Sequence, residues 1–107
     1  MSARADAQVP AVPDDVDDPR HEKASGIVVL PLHIDWSGDP RRYDLTDPQQ
    51  RARVYEQVLR EGNDDDIRYF IDLDELQQLW TRMWLPQRVR TAWAGWFRRH
   101  RGVSLPC

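Results

Sequence analysis

Apolar residues are isolated from Met1 to Ser25, where Val9, Val12 and Val16 stand among Ala, Asp, Pro and Ser. No contiguous face is available to bury, so residues 1–25 read as a disordered acidic tail. From Gly26 the pattern becomes a β-branched run, Ile27 to Leu30, and then alternates through Leu32, Ile34 and Trp36. Pro31 removes a ladder donor and restricts this stretch to an edge strand or an extended arm. Ser37, Gly38, Asp39 and Pro40 have turn chemistry, after which residues 41–45 return as the second strand of a hairpin over 26–45. Two strands alone are marginal in water, so the hairpin must lie on helices.

From residue 48 the apolar spacing changes to the helical period, and local signals mark each boundary. Thr46 or Asp47 caps a helix over 48–61, Pro48 suits its first turn, and Gly62 suits the left-handed position beyond its end. Val54, Tyr55, Val58 and Leu59 share its inner face. Arg53, Glu56, Gln57 and Arg60 share the outer one, with Glu56 and Arg60 at the favourable i, i+4 spacing. Asn63 caps a short helix over 64–71, whose Asp64, Asp65 and Asp66 suit the positive end of its dipole and whose apolar residues are Ile67, Tyr69, Phe70 and Ile71. Asp72 and Glu75 resemble a capping box for a third helix over 73–84, with Leu73, Leu76, Leu79, Trp80, Met83 and Trp84 on one face. Leu85 and Pro86 interrupt it. A fourth helix over 86–101 buries Val89, Ala92, Trp93, Trp96 and Phe97 and ends at Gly102, leaving 103–107 as a C-terminal tail. The expected fold is mainly α: a single compact four-helix domain over 26–102 with an N-terminal β-hairpin or extended arm and a disordered N-terminal tail.

Composition narrows the class. A chain of 107 residues and 12.6 kDa has room for one core. Its apolar runs fall far short of the ~20 residues a membrane span needs, which argues against a membrane partner. The start lacks the basic-then-apolar order of a secretory signal, and the one cysteine is Cys107, so a cytoplasmic protein without disulfides is expected. Charge matters more in its distribution than in its total of −3. Residues 1–25 hold six acids against three bases and residues 26–81 twelve against six, while residues 82–107 hold six arginines and no acid. An arginine-only end on an acidic body suits phosphate or an acidic partner surface, and the tail is expected to compete for it.

The chemistry-bearing residues do not assemble into a catalytic motif. The acids at 64–66 are consecutive and lead straight into Ile67, whereas a calcium loop needs alternating ligands, a central glycine and a distant glutamate. His21, His33 and His100 lack paired spacing, so neither a metal nor another cofactor is expected. Ser37 lacks the strand-to-helix elbow of a hydrolase nucleophile. The expectation is therefore not an enzyme, with Asp44, Asp72 and Glu75 the only weak candidates for acid–base work. The four tryptophans Trp80, Trp84, Trp93 and Trp96 fall within seventeen residues. They serve either as the core where the last two helices cross or, in part, as a hot spot for a partner. On the last helix Thr91, Ala94 and Gly95 lie opposite the tryptophans and are bordered by Arg88, Arg90, Arg98, Arg99 and Arg101, a face that another helix or a phosphate chain can approach. Candidate partner-binding residues are Trp80, Trp84, Arg88, Arg90, Trp93, Arg98 and Arg101.

The stretch from Leu32 to Phe97 carries a resemblance. With His33-Ile34-Asp35-Trp36-Ser37-Gly38, Tyr43-Asp44-Leu45, the segment from Arg53 to Gly62, Leu85-Pro86 and Ala92-Trp93, it resembles a group of small actinobacterial proteins, some associated with nucleotidyltransferases of the AbiEii toxin type. That resemblance implies a partner or antitoxin-like role beside a toxin enzyme and supplies no catalytic residues. The expected function is a non-catalytic protein-interaction module, possible antitoxin roles included. The alternative is a sequence-specific DNA-binding regulator that reads bases with Arg88 and Thr91 of the last helix.

Overall fold

The first three helices each begin where a side chain takes up backbone donors left open at the first turn. The carboxylate of Asp47 accepts the Gln49 N–H at 3.0 Å, with Pro48 as the first helical residue. Asn63 accepts the Asp66 N–H at 2.9 Å while Asp66 accepts the Asn63 N–H at 3.0 Å, a reciprocal capping box. Asp72 accepts from both Asp74 and Glu75. In the computed structural model, which describes residues 12–35 and 41–106, these caps open α1 (Pro48–Glu61), α2 (Asp64–Phe70) and α3 (Leu73–Leu79). A 3-10 turn (Trp80–Arg82) follows, and α4 (Gln87–Arg101) completes a mainly α domain. Ahead of the helices, β1 (Ile27–Val29) pairs antiparallel with β2 (Arg42–Asp44), with Val28 opposite Tyr43. Tail residues 1–11, Trp36, the turn read at 37–40 and Cys107 lie outside the described residues.

Glycines at two helix ends solve different problems. Gly102 takes the left-handed conformation, φ 64°, so that Gly102 and Val103 donate back to the Arg98 and Phe97 carbonyls. Gly62 does not: its backbone is extended, because the chain enters the Asn63 cap at once. Glycine is needed there for space, since a Cβ would stand 2.7 Å from the Val58 carbonyl oxygen.

The core is one continuous cluster. Val54, Tyr55 and Val58 of α1, Ile67 and Phe70 of α2, Leu76 of α3 and Trp93, Trp96 and Phe97 of α4 meet Leu45 and Tyr43 from the hairpin. Tyr55 is tied in twice, accepting the Asp72 N–H at 3.0 Å and a bond from Arg51 at 3.3 Å. Burial pushes its phenol above the usual tyrosine range.

Two expectations change at the chain ends. Residues 12–25 are not free: they run as successive turns over α2, with Val16 fully buried and the Ala24 N–H donating to the Tyr69 carbonyl. Lys23 donates to the Arg68 carbonyl at 2.6 Å, and Asp15 accepts from the Arg68 guanidinium at 3.0 Å. The Asp15 acid therefore pairs with α2 rather than with the arginine-rich end. At the other terminus Val103 and Leu105 pack against the core, and the Pro106 carbonyl accepts the Trp80 indole N–H at 2.6 Å. A single apolar residue in a polar segment is thus enough to dock it when other elements have already built the hole.

Candidate functional site

The third helix of the sequence reading, 73–84, stops early. Regular α geometry ends at Leu79, the 3-10 turn carries the chain through Arg82, and Met83 is extended. Pro86 supplies part of the reason, since it disfavours helical backbone at Leu85 and offers no N–H of its own. Side chains from elsewhere take over the polar groups that the lost turn frees. The Trp84 N–H donates to the Glu56 carboxylate at 2.9 Å, and the Arg90 guanidinium donates to the Met83 carbonyl. Glu56 is therefore turned toward the corner and makes no pair with Arg60.

This break separates the tryptophans. Trp80, Trp93 and Trp96 are each about 1 % exposed and belong to the core. Trp84, placed by periodicity on the same inner face, is 69 % exposed. Of the candidate partner-binding residues, Trp80 and Trp93 are thus corrected to structural ones, because no partner reaches a side chain sealed inside the domain. Arg90 lies over the Trp80 ring at 5.2 Å and holds Met83, and Arg101 pairs with Asp74 at 2.9 Å while covering Phe97. Both are committed to the fold. Trp84, Arg88 and Arg98 stay accessible.

The small-residue face read on the last helix is closed at two of its three positions, with Thr91 left exposed. Ala94 and Gly95 are buried, and a Cβ on Gly95 would meet the Arg99 guanidinium at 3.1 Å, so that side chain lies across the glycine. Ala92, expected inside, is only half-buried. The buried Trp96 indole N–H has no partner among the described residues, a cost of about 1–3 kcal/mol set against stacking on His100 at 4.4 Å.

Beside Trp84 the fold builds a feature that the sequence reading missed. Gln49, Ala52, Arg53 and Glu56 of α1 and Arg82 of the 3-10 turn line a cleft of about 390 Å³. Both arginines are exposed, and among the described residues neither makes an ion pair or side-chain hydrogen bond. Glu56 is the one acid lining the cleft, and it is occupied by the Trp84 N–H. The cleft thus presents two guanidinium groups that are unpaired among the described residues, and Trp84 is tied to it through its backbone N–H on Glu56. Arg53 and Arg82 are 29 positions apart, and no spacing rule links them. Another cleft, of about 410 Å³, lies between the N-terminal turns and α2, but its one arginine is already paired, Arg68 with Asp15 and Asp65.

No protein-family model matches this chain, and neither a curated protein nor a solved structure does. The site therefore has to be read from its own chemistry. Among the described residues no group of three His, Cys, Asp or Glu side chains stands together as metal ligands would, and no helix is long and apolar enough to cross a membrane. Asp44, Asp72 and Glu75 do not converge. Asp44 accepts from Thr46, Asp72 caps α3, and Glu75 stands 4.0 Å from Arg51. Thr46 holds the Asp44 carboxyl below the usual range by hydrogen bonding to its charged form.

Proposed function

We propose that this chain is a non-catalytic protein-interaction module, cytoplasmic, whose partner docks on the corner formed by Trp84, Arg82 and Arg53. The observation that carries this reading is the exposure of Trp84, 69 %, whose backbone is bonded to Glu56 of a cleft in which the two arginines pair with no acid among the described residues. Tryptophan and arginine dominate binding energy at protein interfaces because each combines a large apolar body with directed donors. Arginine adds a planar fork that takes a carboxylate by two parallel bonds. The matching partner surface is an acidic segment with an apolar side chain next to its carboxylates. The resemblance given by residues 32–97 implies a nucleotidyltransferase as that partner and an antitoxin-like role.

Affinity capture with the tagged full chain, run with and without nuclease, tests the reading. We expect a stoichiometric protein partner that survives nuclease and is retained about thirtyfold less well by Arg53→Ser/Arg82→Ser. Recovery of nucleic acid without a protein, lost on Arg98→Ala, would replace this reading by the DNA-binding one.

A further inference from the structure

The hairpin leaves one edge of β1 open, and its register shows which groups face outward. The Leu45 N–H donates to the Gly26 carbonyl at 2.9 Å, so residues 26 and 45 form a hydrogen-bonded pair. Alternation along an antiparallel ladder makes Val28 and Tyr43 the next bonded pair and leaves Ile27 with Asp44, and Val29 with Arg42, as the non-bonded ones. Asp44 confirms this, because its N–H points away from β1 and donates to the Gln50 side chain at 2.8 Å. The backbone donors and acceptors of Ile27 and Val29 accordingly point out of the sheet, and among the described residues no strand pairs with them. The same two side chains are 64 % and 50 % exposed. Native edges usually carry a charge, a proline or a bulge against further pairing, and β1 carries none within its three residues.

We propose that β1 is a self-association edge that pairs antiparallel with β1 of a second copy of this chain, related by a two-fold axis at Val28. The occupant follows from self-complementarity. Ile27 would face Val29 of the second copy, and Val29 its Ile27, so all four outward polar groups of each strand find partners with no residue left over. On the exposed face each row across the four-stranded sheet reads acid, apolar, apolar, base: Asp44 and Ile27, then Val29 and Arg42 of the other copy. Two β-branched pairs meet at the centre, opposite charges end each row, and no like charges face one another. Three residues bury far less than the ~800 Å² per partner of a stable interface, so the dimer forms reversibly, with Kd on the order of 0.1–1 mM. This edge is separate from the Trp84 corner, and the proposal stands whether or not that corner binds a protein.

Sedimentation velocity of the full chain over a concentration series reaching about 1 mM tests the proposal, with circular dichroism to confirm folding. We expect dimer to grow with concentration and to fall about tenfold in Val29→Pro, which deletes only an outward N–H, and in Ile27→Lys. In a Cys107→Ala background, Ile27→Cys mixed with Val29→Cys should form the mixed disulfide faster than either variant alone. The two positions would face one another at about 5.5 Å between Cα atoms, whereas like positions lie on a diagonal of about 7–8 Å, beyond easy bridging. A wild type that stays monomeric at the highest concentration would overturn the proposal. So would dimer persisting in both edge variants, or a mixed disulfide that forms no faster than the others.

Discussion

Trp80 and Trp84 stand four residues apart on what the apolar spacing reads as one helix face, and they meet opposite environments. Trp80 is sealed between Arg90 and the core, with its indole N–H held by the Pro106 carbonyl. Trp84 lies largely in solvent, and among the described residues its one hydrogen bond runs from its backbone N–H to Glu56. One 3-10 turn accounts for the difference, because three residues per turn instead of 3.6 advance the chain by a different angle and the extended Met83 then leaves the helical spiral. The lesson is that an apolar stripe indicates which side chains are able to share a face, while the backbone at the end of the stripe decides which of them do. Apolar surface that the break leaves outside then becomes available to another molecule.

Of the two indoles, the buried one is the more costly to remove. Trp80→Ala removes a fully buried indole together with its bond to the C-terminal segment, and we expect a loss of about 3–5 kcal/mol in denaturant unfolding. A loss below about 1 kcal/mol would mean that Trp80 does not anchor the core. A smaller effect is expected at Tyr55, which joins α1 to the start of α3. Tyr55→Phe leaves the Asp72 N–H without its acceptor, at a cost of about 1–3 kcal/mol. The pH dependence carries a definite sign. Burial raises the folded-state pKa of Tyr55 above its unfolded value of about 10, so this contribution is complete below pH 10 and is lost as pH rises through the folded value. Stability curves should therefore bend downward above about pH 10 in the wild type and less so in Tyr55→Phe.

Much of the fold is legible in the sequence because its decisive signals are local. Asp47 with Pro48, Asn63 with Asp66, Asp72, and Gly102 each act on backbone groups within a few residues, and each performs the capping its identity implies. Gly62 shows the limit of such reasoning, since its place at a helix end was legible and its reason, contact with the Val58 carbonyl, was not. Val16 and Ala24 show the limit more strongly. Each is a lone apolar residue in a segment with a disordered composition, and each is buried because α2 and its neighbours offer a place for it. The candidate site was legible only in its residue types. Trp84 stood out among the candidates and Arg53 and Arg82 did not, and which tryptophan stays outside depends on a helix break with no breaker at its own position. The approach of Arg53 to Arg82 depends on how α1 meets the corner.

On the proposed function the exposed indole serves a partner rather than the fold, and two readouts on one variant separate these roles. Trp84→Ala should unfold within about 0.5 kcal/mol of the wild type, because it vacates no core position. The same variant should lose the protein partner that the wild type retains after nuclease treatment. A variant that loses several kcal/mol, or one that keeps the partner at undiminished stoichiometry, would contradict the assignment of this corner as the docking surface.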